Sequence, residues 1–142
     1  MSIRALKNHV NVALNRPCGA SSESNNHPAR FANDGAIDTS WYADEPLARW
    51  WVDLEGFYQL ANVKLRFAAE GNMRYLVETS DDYDQWRVVV DRRLTDSTRA
   101  ERNELCPPGT IARYVRVKFV HVPFGWRANL CELEVYGILS VR

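Results

Sequence analysis

Between Phe31 and Trp41 the chain reads Phe-Ala-Asn-Asp-Gly-Ala-Ile-Asp-Thr-Ser-Trp, a short loop dense in oxygen donors. Asp34 brings a carboxylate and Thr39 a hydroxyl and a carbonyl, while Gly35 lets the backbone turn sharply. A hard cation such as calcium takes about six to eight oxygens, and backbone carbonyls with one or two carboxylates supply them. Taken with Glu132, near the other end of the chain, the loop predicts an ion that staples a fold rather than one that reacts. A cation joining the loop to a distant strand would close a large segment of chain. The competing reading makes Asp34-Gly35 an ordinary turn and Glu132 a solvated strand residue.

Sugar recognition is the second chemistry the residues suggest. An apolar sugar face stacks on an aromatic ring, and its hydroxyls bond to polar groups at the rim. Trp126 is the best ring for this, because it stands in Val-Pro-Phe-Gly-Trp-Arg-Ala-Asn between turn residues. A Trp flanked by Gly125 and Arg127 is ill suited to a strand interior; packing beneath the loop is the alternative. Phe124 is a weaker second candidate. Replacing Trp126 by Ala is expected to abolish binding and to leave thermal stability nearly unchanged.

Signals for catalysis are weak. His9, His27 and His121 fall in no zinc-protease, serine-hydrolase or phosphate-loop motif. His27, in Ser-Asn-Asn-His-Pro, reads as loop surface. A glycosidase needs two carboxylates across a cleft, whereas Glu132 and Glu134 are two residues apart on one strand. The cluster Asp81-Asp82-Tyr83-Asp84 lacks the Gly and final Glu of an EF-hand loop and reads as a solvated hairpin turn. The chain is not expected to be an enzyme.

The elements that must position these groups are strands. Val63, Leu65 and Phe67 alternate with Asn62, Lys64 and Arg66. Val115, Val117 and Phe119 alternate with Tyr114, Arg116 and Lys118, and Cys131, Leu133 and Val135 with Glu132, Glu134 and Tyr136. Period two marks half-buried strands. Turn residues punctuate them at Asp34-Gly35, Glu55-Gly56, Gly71-Asn72, Asp81-Asp82, Pro107-Pro108-Gly109, and Pro123 with Gly125. No stretch sustains an amphipathic helix, so the rhythm predicts an all-β sandwich.

Composition narrows the function classes. A chain of 142 residues fits one domain. Its formal net charge is zero, which argues against nucleic acid and against polyanions held by bulk charge. No apolar run approaches the ~20 residues of a spanning helix, and the first residues carry no hydrophobic signal core. Cys18, Cys106 and Cys131 lack zinc-type spacing and read as buried free thiols, with one disulfide pair as the alternative. Five Trp and six Tyr are many for a chain of this size; most read as core, and any beyond core needs would serve a binding site.

Six stretches in order resemble one family. They are Asn11 to Ser22; Asp34-Gly35 with Thr39 and Trp41; Trp50-Trp51-Val52-Asp53-Leu54; Tyr75 to Ser80 with Asp82 and Trp86; Ala112 to Val117; and Leu130 to Gly137. Together they are similar to the discoidin, or coagulation-factor type C, superfamily, over about 11–137. Within it the chain most resembles bacterial carbohydrate-binding modules of the family 32 type and, at its start, fucose-binding lectins. Residues 1–10 then read as an N-terminal extension and 138–142 as a C-terminal tail.

The resemblance implies a jelly-roll of about eight antiparallel strands and one structural calcium. Its ligands would be the carbonyls of Phe31, Ala36 and Cys131, the carboxylates of Asp34 and Glu132, and both oxygens of Thr39. Sodium suits the same ligand types. The resemblance also implies that Arg66 and Asn72, six residues apart, grip sugar hydroxyls. Galactose-binding relatives place a His-Ser-x-Trp segment after the calcium loop, whereas Tyr42 and Glu45 stand there in this chain. With Asp44 they make the site more acidic, a composition that could prefer an amino sugar. The function implied is a non-catalytic carbohydrate-binding module, weak at a single site, secreted as part of a larger protein and targeting an attached glycoside hydrolase to a glycan. The rival reading is a protein- or phospholipid-binding adhesion domain of the discoidin type.

Overall fold

The computed structural model describes residues 9–140, so the expected extension at 1–10 lies almost wholly outside the described residues. Ten strands follow one another: β1 (Val10–Asn11), β2 (Cys18–Ala20), β3 (Trp41–Tyr42), β4 (Arg49–Arg66), β5 (Arg74–Ser80), β6 (Trp86–Asp91), β7 (Glu101–Leu105), β8 (Ile111–His121), β9 (Asn129–Leu130) and β10 (Glu132–Leu139). Among the described residues one 3-10 turn, Ala29–Ala32, precedes the Asp34 loop. The result is an all-β, antiparallel jelly-roll sandwich. Eight strands form one continuous sheet in the order β1-β10-β4-β8-β5-β6, with β2 and β7 also on β4, and β3 pairs β9 apart from it.

Strand β4 joins the two layers. Its first half, Arg49 to Asp53, pairs with β8, and Trp50 to Val52 pair with β2. Its second half pairs with β10 and β7. The register breaks between Asp53 and Tyr58, where Glu55 takes a φ of 62°. The Glu55-Gly56 turn read from sequence is therefore a bend within one strand. Strand β10 runs on to Leu139, and the Ser140 amide donates to the Phe57 carbonyl (2.9 Å). Residues 138 and 139, expected to be tail, belong to the last strand.

The alternation seen in the sequence is the packing. Val63, Leu65, Val115, Val117, Leu133 and Val135 are completely buried, and Phe67 and Phe119 nearly so. Each such aliphatic side chain contributes about 1.5–3 kcal/mol on leaving water. Trp41 and Trp50 join this core with their indole N–H groups satisfied by the carbonyls of Ser22 and Ala29, both at 3.0 Å. Those two bonds anchor the loops on either side of residue 25 to the sandwich. All three cysteines are free.

One polar network lies between the layers. Glu104, 4% exposed, accepts from Arg92 Nη2 at 2.7 Å and from the Tyr75 hydroxyl. Arg102, also buried, donates to the carbonyls of Gly71, Met73, Ser97 and Arg99 and lies over the Phe67 ring. Both charges are thus held by several hydrogen bonds, which is what burial of an ionised group requires.

Candidate functional site

The short β3–β9 ladder builds the site. It pairs Trp41 with Leu130 and Tyr42 with Asn129, and so brings the segment after the Asp34 loop against the segment before β10. Beside it lies an open depression of about 460 Å³ lined by Tyr42, Ala68, Ala69, Gly125, Trp126, Arg127 and Asn129. Gly125 turns the chain with a φ of +82°, a region favouring glycine, and the Trp126 amide closes that turn on the Pro123 carbonyl (2.9 Å). The Trp126 indole packs against the edge of the core and is half-buried. Its far edge rests on Gly71, where an added Cβ would meet Cη2 at 2.6 Å.

The polar groups around the ring are held from behind. Asn129, 2% exposed, accepts from the Ala68 amide (2.8 Å) and donates to the Arg127 carbonyl (2.9 Å), pinning two walls of the depression together. The Tyr42 ring meets His27 edge-on at 4.8 Å, and His27 Nδ1 is 2.9 Å from the Ser40 carbonyl. Burial pushes the Tyr42 phenol above its ordinary pKa, so it stays a neutral donor and acceptor at physiological pH. Arg127 faces Asp44 at 3.6 Å with both side chains mostly in solvent. Such a pair is worth little by itself and leaves both groups able to bond hydroxyls.

The structure brings together some of the residues singled out in the sequence and not others. Trp126 and Tyr42 share the depression, and Asp44 reaches its rim through Arg127. Glu45 is exposed on the same loop without lining the depression, and Phe124 projects fully into solvent at the loop tip. Arg66 lies elsewhere: it pairs with Glu101 at 3.3 Å and lines a separate groove of about 810 Å³ shared with Glu70, Arg99 and Glu101. Asn72 donates to the carbonyls of Thr95 (3.0 Å) and Ser97 (3.4 Å), which commits its amide to loop structure. Reading the sequence did not assign Arg127, Asn129, Ala68 or Ala69 to the site. Arg127 was legible as the neighbour of Trp126, whereas two alanines in a bend carry no signal.

The loop at Asp34 folds onto β10. Glu132 Oε2 accepts from the Gly35 amide at 3.0 Å, and Thr39 Oγ1 donates to Asp34 Oδ2 at 2.6 Å. Asp34 Oδ1 accepts from the Ala36 amide, and the Ala36 carbonyl accepts from Thr39 Oγ1 at 3.2 Å. Glu132 is not a solvated strand residue: it is 5% exposed, and its Oε1 is buried with no hydrogen-bond partner. Burial, with the negative charges of Asp34 and Glu134 adding to it, pushes its carboxyl up to about 8. Among the described residues no three His, Cys, Asp or Glu side chains cluster. A cation here would therefore rest on two carboxylates and otherwise on Thr39 and carbonyls. An orphaned buried carboxylate oxygen amid oxygen donors fits a hard cation.

A family model described as F5/8 type C domain matches residues 18–133. Chitosan-binding module 1, derived from a chitosanase/glucanase of Paenibacillus sp. IK-5, is similar with a TM-score of 0.81 at 27% identity, covering 91% of this chain and 100% of that one. Chitosan-binding module 2 of the same source, solved in complex with chitotriose, gives 0.79 at 27% identity, covering 89% of this chain and 100% of that one. A family 89 glycoside hydrolase from Clostridium perfringens shares the fold over 92% of this chain and 15% of its own length, with a TM-score of 0.84 at 20% identity. No curated protein sequence matches.

Proposed function

The chain belongs to the F5/8 type C domain family, and from that premise we propose that it is a non-catalytic carbohydrate-binding module that holds a hexosamine glycan of the chitin–chitosan type against Trp126. The observation that carries this reading is the depression itself. One half-buried indole is fixed in place by Gly71 and the Pro123 turn, and Tyr42, Arg127 and Asp44 offer hydroxyl-bonding groups near it. The Asp44 carboxylate at the rim suits a sugar amine, in keeping with relatives described as chitosan-binding. The affinity of so shallow a site is weak, and attachment to a glycoside hydrolase in a secreted parent protein would raise avidity. Among the described residues no helix is long and apolar enough to cross a membrane.

Calcium belongs to the same reading as a structural ion. Asp34, Glu132 and Thr39, with the carbonyls of Phe31, Ala36 and Cys131, would hold it, and its charge would compensate the buried Glu132 carboxylate. The unpartnered Glu132 Oε1 supports this. The ion would tie the loop after the 3-10 turn to the first residues of β10 and leave sugar contact to side chains.

The test is a glycan array of the purified domain with and without chelator, including chitooligosaccharides, galactosides and fucosides. Binding to hexosamine oligomers that is lost in Trp126→Ala is the expected result. A second reading draws on Phe124, which projects from the binding loop fully exposed, as a membrane-inserting tip would. Co-sedimentation with anionic liposomes and a blank array would favour that reading instead.

A further inference from the structure

Four aromatic side chains gather on the outer face of the sheet formed by β2, β4, β8, β5 and β6, away from the Trp126 depression. Register places them there: Trp51 stands opposite Arg116, Asp53 opposite Tyr114, and Ser80 opposite both Tyr114 and Trp86, in phase opposite to the buried Val52 and Val115. Tyr83, at the β5–β6 turn, is the hub. Its ring lies 5.7 Å from that of Trp51 and 5.5 Å from those of Trp86 and Tyr114, all edge to face.

Two features of this cluster exceed what covering a sheet requires. Tyr83 has a φ of 68°, a left-handed conformation that Gly or Asn adopts with less strain, yet a large ring stands there and remains 43% exposed. The Trp51 indole packs against Gly19, where an added Cβ would meet Cζ2 at 2.7 Å. That is the arrangement of Trp126 on Gly71. The rim carries three ion pairs, Arg113 with Asp53 (2.9 Å), Arg116 with Glu78 (2.9 Å) and Arg87 with Asp81 (3.4 Å), and the exposed carboxylates of Asp82 and Asp84 flank Tyr83 beyond them. Apolar rings inside a hydrogen-bonding, net acidic rim complement a polyhydroxylated surface that bears amines and disfavour a polyanion.

We infer that Trp51 and Tyr83 form a second glycan-contact surface, which takes a further stretch of the same hexosamine polysaccharide chain that Trp126 holds. This rests on the carbohydrate-binding reading above. From Tyr114 to the end of β8 at His121, just before the Trp126 loop, the strand runs about 23 Å at 3.3 Å per residue. A trisaccharide is too short for that span, so a short ligand occupies one surface and a polymer engages both, with a gain in effective concentration.

The experiment compares chitotriose, by titration calorimetry, with partially acetylated chitosan, by affinity gel electrophoresis. The variants are Tyr83→Ala, Tyr83→Phe, Trp51→Ala and Trp126→Ala, each checked by thermal melting. Tyr83→Ala and Trp51→Ala are expected to weaken polymer binding roughly tenfold with the trisaccharide affinity unchanged. Tyr83→Phe retains polymer binding, and Trp126→Ala weakens both ligands. If Trp51→Ala does not fold, Tyr83→Ala decides alone. Polymer affinity unchanged in Tyr83→Ala, with Trp126→Ala still defective, overturns the second surface and leaves the first reading standing. A native domain that binds neither ligand overturns both.

Discussion

Gly71 is the bed on which Trp126 lies: a Cβ at residue 71 would sit 2.6 Å from Cη2 and 2.8 Å from Cζ3 of the indole. Contacts that short do not persist, so Gly71→Ala must move the ring. Residue 71 needs no left-handed backbone, so alanine costs the fold little there. Gly71→Ala is expected to lower affinity for hexosamine oligomers about tenfold, a loss of roughly 1.4 kcal/mol. The melting temperature should stay within a few degrees of native. Calorimetric titration with unchanged affinity would show that the ring's position is not what binds.

Trp126→Ala is expected to abolish measurable binding, and the structure changes what stability should do. The indole packs against the edge of the core as well as facing solvent. Removing it should cost about 1–2 kcal/mol, less than the ~3–5 typical of a buried aromatic. A nearly neutral change would require a ring that does not pack, whereas this one packs on the core and also faces solvent. Denaturant unfolding beside glycan titration separates the two losses.

The fold was readable because period-two burial needs only local information. Val63, Leu65, Val115, Val117, Leu133 and Val135 announce their faces residue by residue. The site was half readable. Trp126 stood out by its turn context, and Tyr42 by position within a family pattern. Arg66 and Asn72 had suitable types and spacing, yet their partners, Glu101 and the Thr95 and Ser97 carbonyls, come from a segment 23 to 35 residues further on. Nothing in the local sequence reveals those partners, which occupy the Asn72 amide and give Arg66 an exposed ion pair apart from the Trp126 depression. Likewise Glu132 alternates like a surface residue, and only the fold-back of the Asp34 loop buries it.

Calcium should stabilise the domain measurably. An ion that binds only the folded state contributes about 2.7 kcal/mol at a hundred times its dissociation constant. Melting in excess calcium is expected well above melting in chelator. Glu132→Gln and Asp34→Ala should remove that difference, with Glu132→Gln also relieving the buried, unpartnered carboxylate oxygen in the absence of metal. Identical melting curves in calcium and chelator would refute a calcium staple, and a response to sodium alone would reassign the ion.

Glu104 sets an acid limit on stability. Burial raises its pKa, but hydrogen bonds from Arg92 and Tyr75 outweigh that effect and hold the carboxyl below its ordinary value. A carboxyl depressed in the folded state stabilises at pH above its unfolded value of about 4.3, and that contribution disappears as pH falls through the folded value. At pH 7, Glu104→Gln is expected to cost about 1–3 kcal/mol, toward the lower end because Arg92 is half-exposed and can regain water. The gap between native and variant should then close as pH falls below about 4. Urea unfolding at a series of pH values measures it. A gap that stays constant to pH 3 would mean that Glu104 does not titrate there and acts by shape alone.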